Sequence, residues 1–256
     1  MLDDFDVIVK EFPAEQKSIN LYTLADVHIG AKECDYDSLA KWIKTVKNDE
    51  NGYWVCIGDM LNMGLRNAKT NIYEEEFMPY EQKELFAKLF SPISDKLIGM
   101  ISGNHEARAV REVGINPLYD IACRWRKEDI YREHSCFIDI SLGKGRNNKR
   151  LNYGVVVTHG ASRGKYDKWT PTIDCVDLFI SGHTHQNNNS VKGKLVFDRQ
   201  NKVVRKAEFM QHVCTPFLGY GGYAVAGHYQ PCNKPRYETF VLSGSSKDIE
   251  FRSRDI

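Results

Sequence analysis

Apolar residues fall along the chain in two alternating rhythms. Ile19 to Ala25 is a nearly continuous apolar run of strand length and predicts a buried strand. Leu39, Trp42, Ile43 and Val46 follow at i, i+3, i+4 and i+7, the stripe of an amphipathic helix. Tyr53 to Ile57 predicts a second strand. Glu74 to Phe90 predicts a helix with Phe77, Leu85, Phe86, Leu89 and Phe90 on its apolar side. Leu97 to Ile101 predicts a third strand. Pro117 to Arg126 predicts a helix opened by proline near its first position. Cys136 to Leu142 and Tyr153 to Thr158 predict strands joined by the turn GKGRNNKR, and Asp177 to Ile180 a short one. From Val191 onward the pattern is strand-rich, punctuated by Gly and Pro. The first half thus reads βαβαβ and the second mainly β. That predicts an α/β sandwich with its helices outside.

Composition narrows the picture. The chain has 256 residues, a length that suits one α/β domain with a sizeable core. Lys and Arg number 35 against 34 Asp and Glu, a net charge of +1. Such a balance argues against a diffuse basic surface for polyanions. The odd cysteine count and the lack of any CxxC pair predict reduced thiols, mostly small core residues, in a cytoplasmic protein. The N-terminal stretch MLDDFDVIVKEF is acidic where a secretory signal would be basic. No apolar run approaches the roughly 18 residues of a membrane span. The expectation is a soluble protein with no membrane partner.

The polar residues that matter come directly after the strands. These are Asp26-Val27-His28, Gly58-Asp59, Gly103-Asn104-His105-Glu106, His159-Gly160 and Gly182-His183-Thr184-His185. Ligands collect at the carboxyl ends of strands in open α/β sheets. Each fragment alone is a common turn. Five in succession carrying Asp, His or Asn are hard to explain by packing. Carboxylate, imidazole and amide oxygen suit divalent Mn, Fe, Zn or Ni. The absence of a paired cysteine set argues against a structural zinc site. So many ligands exceed the need of one tetrahedral ion, and they suit two ions about 3.5–4 Å apart clamped by a shared carboxylate. Two such ions would focus positive charge for phosphate in a near-neutral protein.

These motifs resemble the calcineurin-like metallophosphoesterase superfamily, whose signature D-x-H, G-D, G-N-H-[ED], His and G-H-x-H is present in order from residue 26 to 185. The resemblance implies a four-layer fold, a two-sheet β-sandwich flanked by helices, with residues 1–256 as a single domain. It implies that Asp26, His28 and His185 hold a first metal ion. Asn104, His159 and His183 would hold a second, with Asp59 bridging and manganese the first choice of metal. A hydroxide shared by the ions would attack phosphorus, and His105 would assist the leaving oxygen.

In protein-phosphatase-like members an Asp three positions after the bridging Asp pairs with the catalytic His. Here that position is Asn62, an amide expected to accept from the imidazole but without the charge that favours imidazolium. His105 is then expected to be a weaker acid or mainly an electrostatic donor. The Arg that follows in those members is Met63 here. Arg66, Arg108 and Arg163 are the candidate substitutes, and a Ser/Thr protein phosphatase is disfavoured.

Tyr220, Tyr223, His228 and Tyr229 lie in a Gly-rich segment suited either to stacking a nucleobase or to packing as turns. The turn with Lys144, Arg146, Lys149 and Arg150 reads as a solvated hairpin. His134 and His212 have no motif context and read as ordinary surface or core histidines. The function expected is hydrolysis of a phosphodiester or nucleotide-like ester. A DNA or RNA nuclease of the same superfamily is one alternative. The other is a non-catalytic metal-binding scaffold, favoured only by the loss of Asp at position 62.

Overall fold

Two six-stranded mixed sheets face one another, with helices on both outer faces. The structure is a computed structural model that describes residues 5–66, 68, 72–145 and 148–256, leaving aside the side chains of Ile72, Arg163 and Tyr223. In chain order the strands are β1 (Ile8–Glu11), β2 (Ser18–Leu24), β3 (Gly52–Cys56), β4 (Leu97–Ile101), β5 (Tyr131–Arg132) and β6 (Ser135–Leu142). They continue as β7 (Leu151–Thr158), β8 (Leu178–Ser181), β9 (Asn188–Asp198), β10 (Val203–Val213), β11 (Arg236–Ser243) and β12 (Ile249–Asp255). The helices are α1 (Tyr36–Asn48), α2 (Pro79–Phe90), α3 (Asn104–Val113), α4 (Pro117–Arg124), α5 (Arg163–Trp169) and α6 (Gly222–Ala226).

One sheet runs β1-β6-β7-β8-β10-β9 and the other β12-β11-β2-β3-β4-β5. Strand alternation sorts the core. Ile19, Leu21 and Ala25 point between the sheets with Val55, Ile138, Val155 and Phe240. Tyr22 and Leu24 point outward, to Trp42 and Val46 of α1 and Phe86 and Phe90 of α2. A smaller outer cluster packs Tyr166 of α5 on Phe179 and Phe209. Helix α1 forms where the i, i+3, i+4 stripe requires it, opened by Asp35, whose Oδ1 accepts from Ser38 N at 2.9 Å.

Parallel pairing positions the site. β2, β3 and β4 are parallel neighbours, with Leu24 opposite Cys56 and Cys56 opposite Met100. β7 and β8 are also parallel, with Val157 opposite Ile180. The carboxyl ends that carry the polar motifs therefore emerge side by side in each sheet.

Some expected elements differ. The helix expected over Glu74 to Phe90 starts only at Pro79, because proline at its first position lacks the N–H an interior turn needs. Residues 72–74 form a short 3₁₀ turn instead. Helix α3 was not anticipated; it opens at Gly103, whose N–H donates to Glu106 Oε2 at 2.8 Å, and closes at Gly114 with φ 69°. Strand β1 also escaped the pattern, since only Ile8 of it is buried. Among the described residues no helix is long and apolar enough to cross a membrane.

Candidate metal centre

The strand ends turn sharply. Asp26, His28, Asp59, His183 and His185 all sit in the left-handed region, with φ of 52°, 53°, 53°, 69° and 55°. A non-glycine residue costs roughly 1–2 kcal/mol in that conformation. Such strain persists where surrounding structure over-determines it, as at functional sites. The motif glycines make room. A Cβ on Gly103 would run into Asp59 Oδ1, and one on Gly182 into Asp26 Oδ2.

The side chains converge in overlapping groups. Asp26, His28 and His185 lie together, and so do Asp59, His159 and His183. His185 Nε2 is 3.3 Å from Asp26 Oδ1 and 3.4 Å from His28 Nε2. His159 Nε2 is 3.2 Å from Asp59 Oδ2 and 3.1 Å from Asn104 Oδ1, and His183 Nδ1 is 2.8 Å from that same amide oxygen. Asp59 stands between, its other oxygen accepting from His105 N at 2.8 Å. His28, Asp59 and His105 form a further close group, so distance alone does not separate His105 from the ligand-type histidines.

Main-chain contacts fix the rings. His159 Nδ1 donates to the Ile57 carbonyl at 2.9 Å, which turns its Nε2 toward Asp59. Main-chain N–H of His183 donates to both Asp26 oxygens, at 3.1 and 2.9 Å. Burial by itself raises a carboxyl and lowers an imidazole. At Asp59, however, His159, His105 and His28 outweigh burial and hold the carboxyl well below its usual range. At Asp26 burial is likewise outweighed, chiefly by His185. Burial would lower His159, yet the Asp59 carboxylate pushes it up to about 10, and Asp26 raises His185 in the same way. Burial wins at His28, His105 and His183, whose pKa values fall. Two ionised carboxylates with imidazole nitrogens and an amide oxygen gathered around them form a candidate donor set for a cation.

His105 Nδ1 donates to the main-chain carbonyl of Asn62 at 2.7 Å. The Asn62 amide, expected to accept from the imidazole, instead donates to Glu75 Oε1 at 2.6 Å. Position 62 thus serves His105 through a group every residue type carries. Glu106, part of the G-N-H-E motif, has a role the sequence did not suggest. Its carboxylate accepts from the main-chain N–H of Asp59 at 3.0 Å, Leu61 at 2.9 Å and Gly103 at 2.8 Å. It ties the β3 turn to the start of α3.

A cavity of about 840 Å³ opens over the cluster, lined by His28, Asp59, Asn104, His105 and Arg108 and also by Tyr220 and Tyr229. Arg108 Nη1 is shielded from solvent without a hydrogen-bond partner among the described residues. Arg111, one α-helical turn further, lines the same cavity and was not singled out from sequence, although its i+3 spacing from Arg108 would have found it. Arg66 and His228 are exposed and stand outside this lining. The side chains of Arg163 and Tyr223, and all of Arg146, lie outside the described residues.

A sequence model of the calcineurin-like phosphoesterases matches residues 19–187, from the start of β2 to just past His185. The chain belongs to the calcineurin-like phosphoesterase family. No curated protein matches its sequence. Solved structures similar to this calcineurin-like phosphoesterase include Vps29 complexed with zinc from Entamoeba histolytica, 11% identical, with 93% of this chain and 99% of that one covered and a TM-score of 0.39. They also include the calcineurin-like phosphoesterase YfkN from Bacillus subtilis, 13% identical, covering 94% and 91%, TM-score 0.46. A third is GAP50, the anchor in the inner membrane complex of Plasmodium, 13% identical, covering 94% and 89%, TM-score 0.49.

Proposed function

We propose that this chain is a dinuclear metal-dependent phosphoesterase acting on a phosphodiester or nucleotide-like ester. The observation that carries the reading is the set of ring nitrogens and amide oxygen converging on Asp26 and Asp59, with His159 Nε2 3.2 Å from Asp59 Oδ2. Asp26, His28 and His185 would hold one divalent ion and Asn104, His159 and His183 a second, with Asp59 shared. Manganese is the first choice; iron, nickel and zinc suit the same donors. Bound ions supply Lewis acidity and an activated water near neutral pH.

The chain's own groups do the rest. His105 Nε2 faces the cavity 3.7 Å from Asp59 Oδ2, with its other nitrogen held by Asn62. It stands to donate to a phosphate or leaving oxygen. Arg108 offers a guanidinium to the same anion. Tyr220 and Tyr229 supply aromatic faces for an organic group such as a base. The reading includes one domain over 1–256 and a cytoplasmic location.

The test is hydrolysis of bis-p-nitrophenyl phosphate by protein loaded with Mn, Fe, Ni or Zn, with single-stranded and duplex DNA in parallel. Hydrolysis of the small diester with intact DNA supports the reading, and cleaved DNA turns it to a nuclease. No turnover with any of the four metals overturns it in favour of a metal-binding scaffold.

A further inference from the structure

A second cluster of ligand-type side chains lies sealed between the sheets, sharing no residue with the strand-end site. Phe209 and Val213 of β10 point outward to the α5 side. Alternation then turns His212 and Cys214 inward, where Cys214 joins the core between the sheets. Glu238 of β11 meets them from the opposite sheet. Their relative exposures are 0%, 1% and 1%. One donor atom from each lies within 4.8 Å of the other two. His212 Nε2 is 3.3 Å from Glu238 Oε2.

The polar atoms of this cluster are poorly satisfied. Neither ring nitrogen of His212 makes a hydrogen bond among the described residues, and Glu238 Oε1 makes none either. Glu238 Oε2 accepts one, from Thr215 N at 2.9 Å. The imidazole is walled by Phe240 and Phe251, with ring centroids 5.2 and 4.8 Å away. Unmade hydrogen bonds in such surroundings are destabilising. A proton shared by His212 and Glu238 would serve one ring nitrogen and leave the other without a partner.

A divalent cation would engage nitrogen, sulfur and oxygen together. Tetrahedral zinc, with bonds of about 2.0–2.3 Å, separates its donors by roughly 3.3–3.7 Å. The 3.3 Å between His212 Nε2 and Glu238 Oε2 suits that geometry. Thiolate with imidazole favours zinc over manganese or magnesium. We propose that His212, Cys214 and Glu238 supply three of the four ligands of a structural zinc ion that joins the two sheets behind the strand-end site. Binding would release the thiol proton to solvent and leave the metal-bound thiolate.

The ion would brace what carries the ligands. Cys214 N donates to the Ser181 carbonyl at 2.8 Å, one residue before Gly182-His183. Phe217 N, three residues further on, donates to the Asp26 carbonyl at 3.0 Å.

The test uses cobalt supplied during expression of the full chain, so that metal is present as the core closes. The seven ligand-type residues of the strand-end site offer only nitrogen and oxygen donors. Cys232 lines the cavity over that site, so a thiolate-to-cobalt charge-transfer band in the near ultraviolet is assigned to Cys214 by its loss in the Cys214 variant. The expected result is that band in the wild type, its loss in Cys214→Ser, and about one equivalent less metal per chain. Should Cys214→Ser fail to fold, Glu238→Gln is expected to fold with a shifted or weakened band. No band in the wild type, or one unchanged by either variant, overturns the proposal and leaves a buried His212–Glu238 pair.

Discussion

His105 gives its Nδ1 proton to the main-chain oxygen of Asn62, while the Asn62 side chain turns the other way to Glu75. The orienting partner of this histidine is backbone. Asn62→Ala should therefore keep His105 in place. Its loss of the Glu75 contact should cost roughly 1 kcal/mol of stability, and kcat should stay within about tenfold of the wild type. Denaturation and steady-state kinetics check both. A hundredfold fall in kcat would show that the amide itself serves His105.

His105, Asp59 and His28 have donor atoms within 4.8 Å of one another, as the groups of ligand-type residues do. Metal analysis of His105→Ala separates the roles. A group that only donates to substrate leaves metal content unchanged and lowers kcat by roughly 10²–10⁴. A fall in bound metal would make His105 a ligand.

Gly182 leaves no room for a methyl group beside the Asp26 carboxylate. Gly182→Ala should displace that carboxylate and weaken metal binding by roughly 10–100-fold, the scale of losses around ligands whose support is disturbed. Titration of metal-free protein with manganese reads it.

Glu106 satisfies three buried main-chain N–H groups. Glu106→Ala leaves all of them without a partner. At roughly 1–3 kcal/mol each, the protein should lose at least about 3 kcal/mol in urea unfolding, a loss visible in the metal-free form.

Burial lowers His159, but Asp59, with Asp26 and the Ile57 carbonyl, outweighs it and raises the pKa from 6.5 to about 10. In metal-free protein the proton is therefore held at neutral pH, and an incoming cation must displace it. Metal affinity should rise with pH and level off near that value, by up to about tenfold per unit below it. The same pair stabilises metal-free protein fully below 6.5 and loses that contribution as pH rises toward about 10. Calorimetric titration across pH checks the first trend and thermal melts the second.

Legibility in the sequence followed the physics of each feature. The strand-end site is readable because each ligand-type residue directly follows its strand, so sequence order is spatial order. Helix α3 is hidden because its cap is a glycine with no side chain, and its first residues draw attention as chemistry. The direction of the Asn62 amide is invisible because His105 uses a group that side-chain identity does not encode. The cluster of His212, Cys214 and Glu238 escapes because its members come from different sheets, brought together only by the facing of two strands. Read singly, His212 is one more core histidine.

Five polar residues at left-handed φ have a price in folding. A chain selected only to fold would place glycine at those corners. Glycine replacements at Asp26 or His28 would relax the backbone while erasing the proposed metal centre, so mutants that melt higher here should be the ones that bind metal least. Screens of this protein for thermal tolerance would then drift toward an inert sandwich unless metal retention is selected alongside.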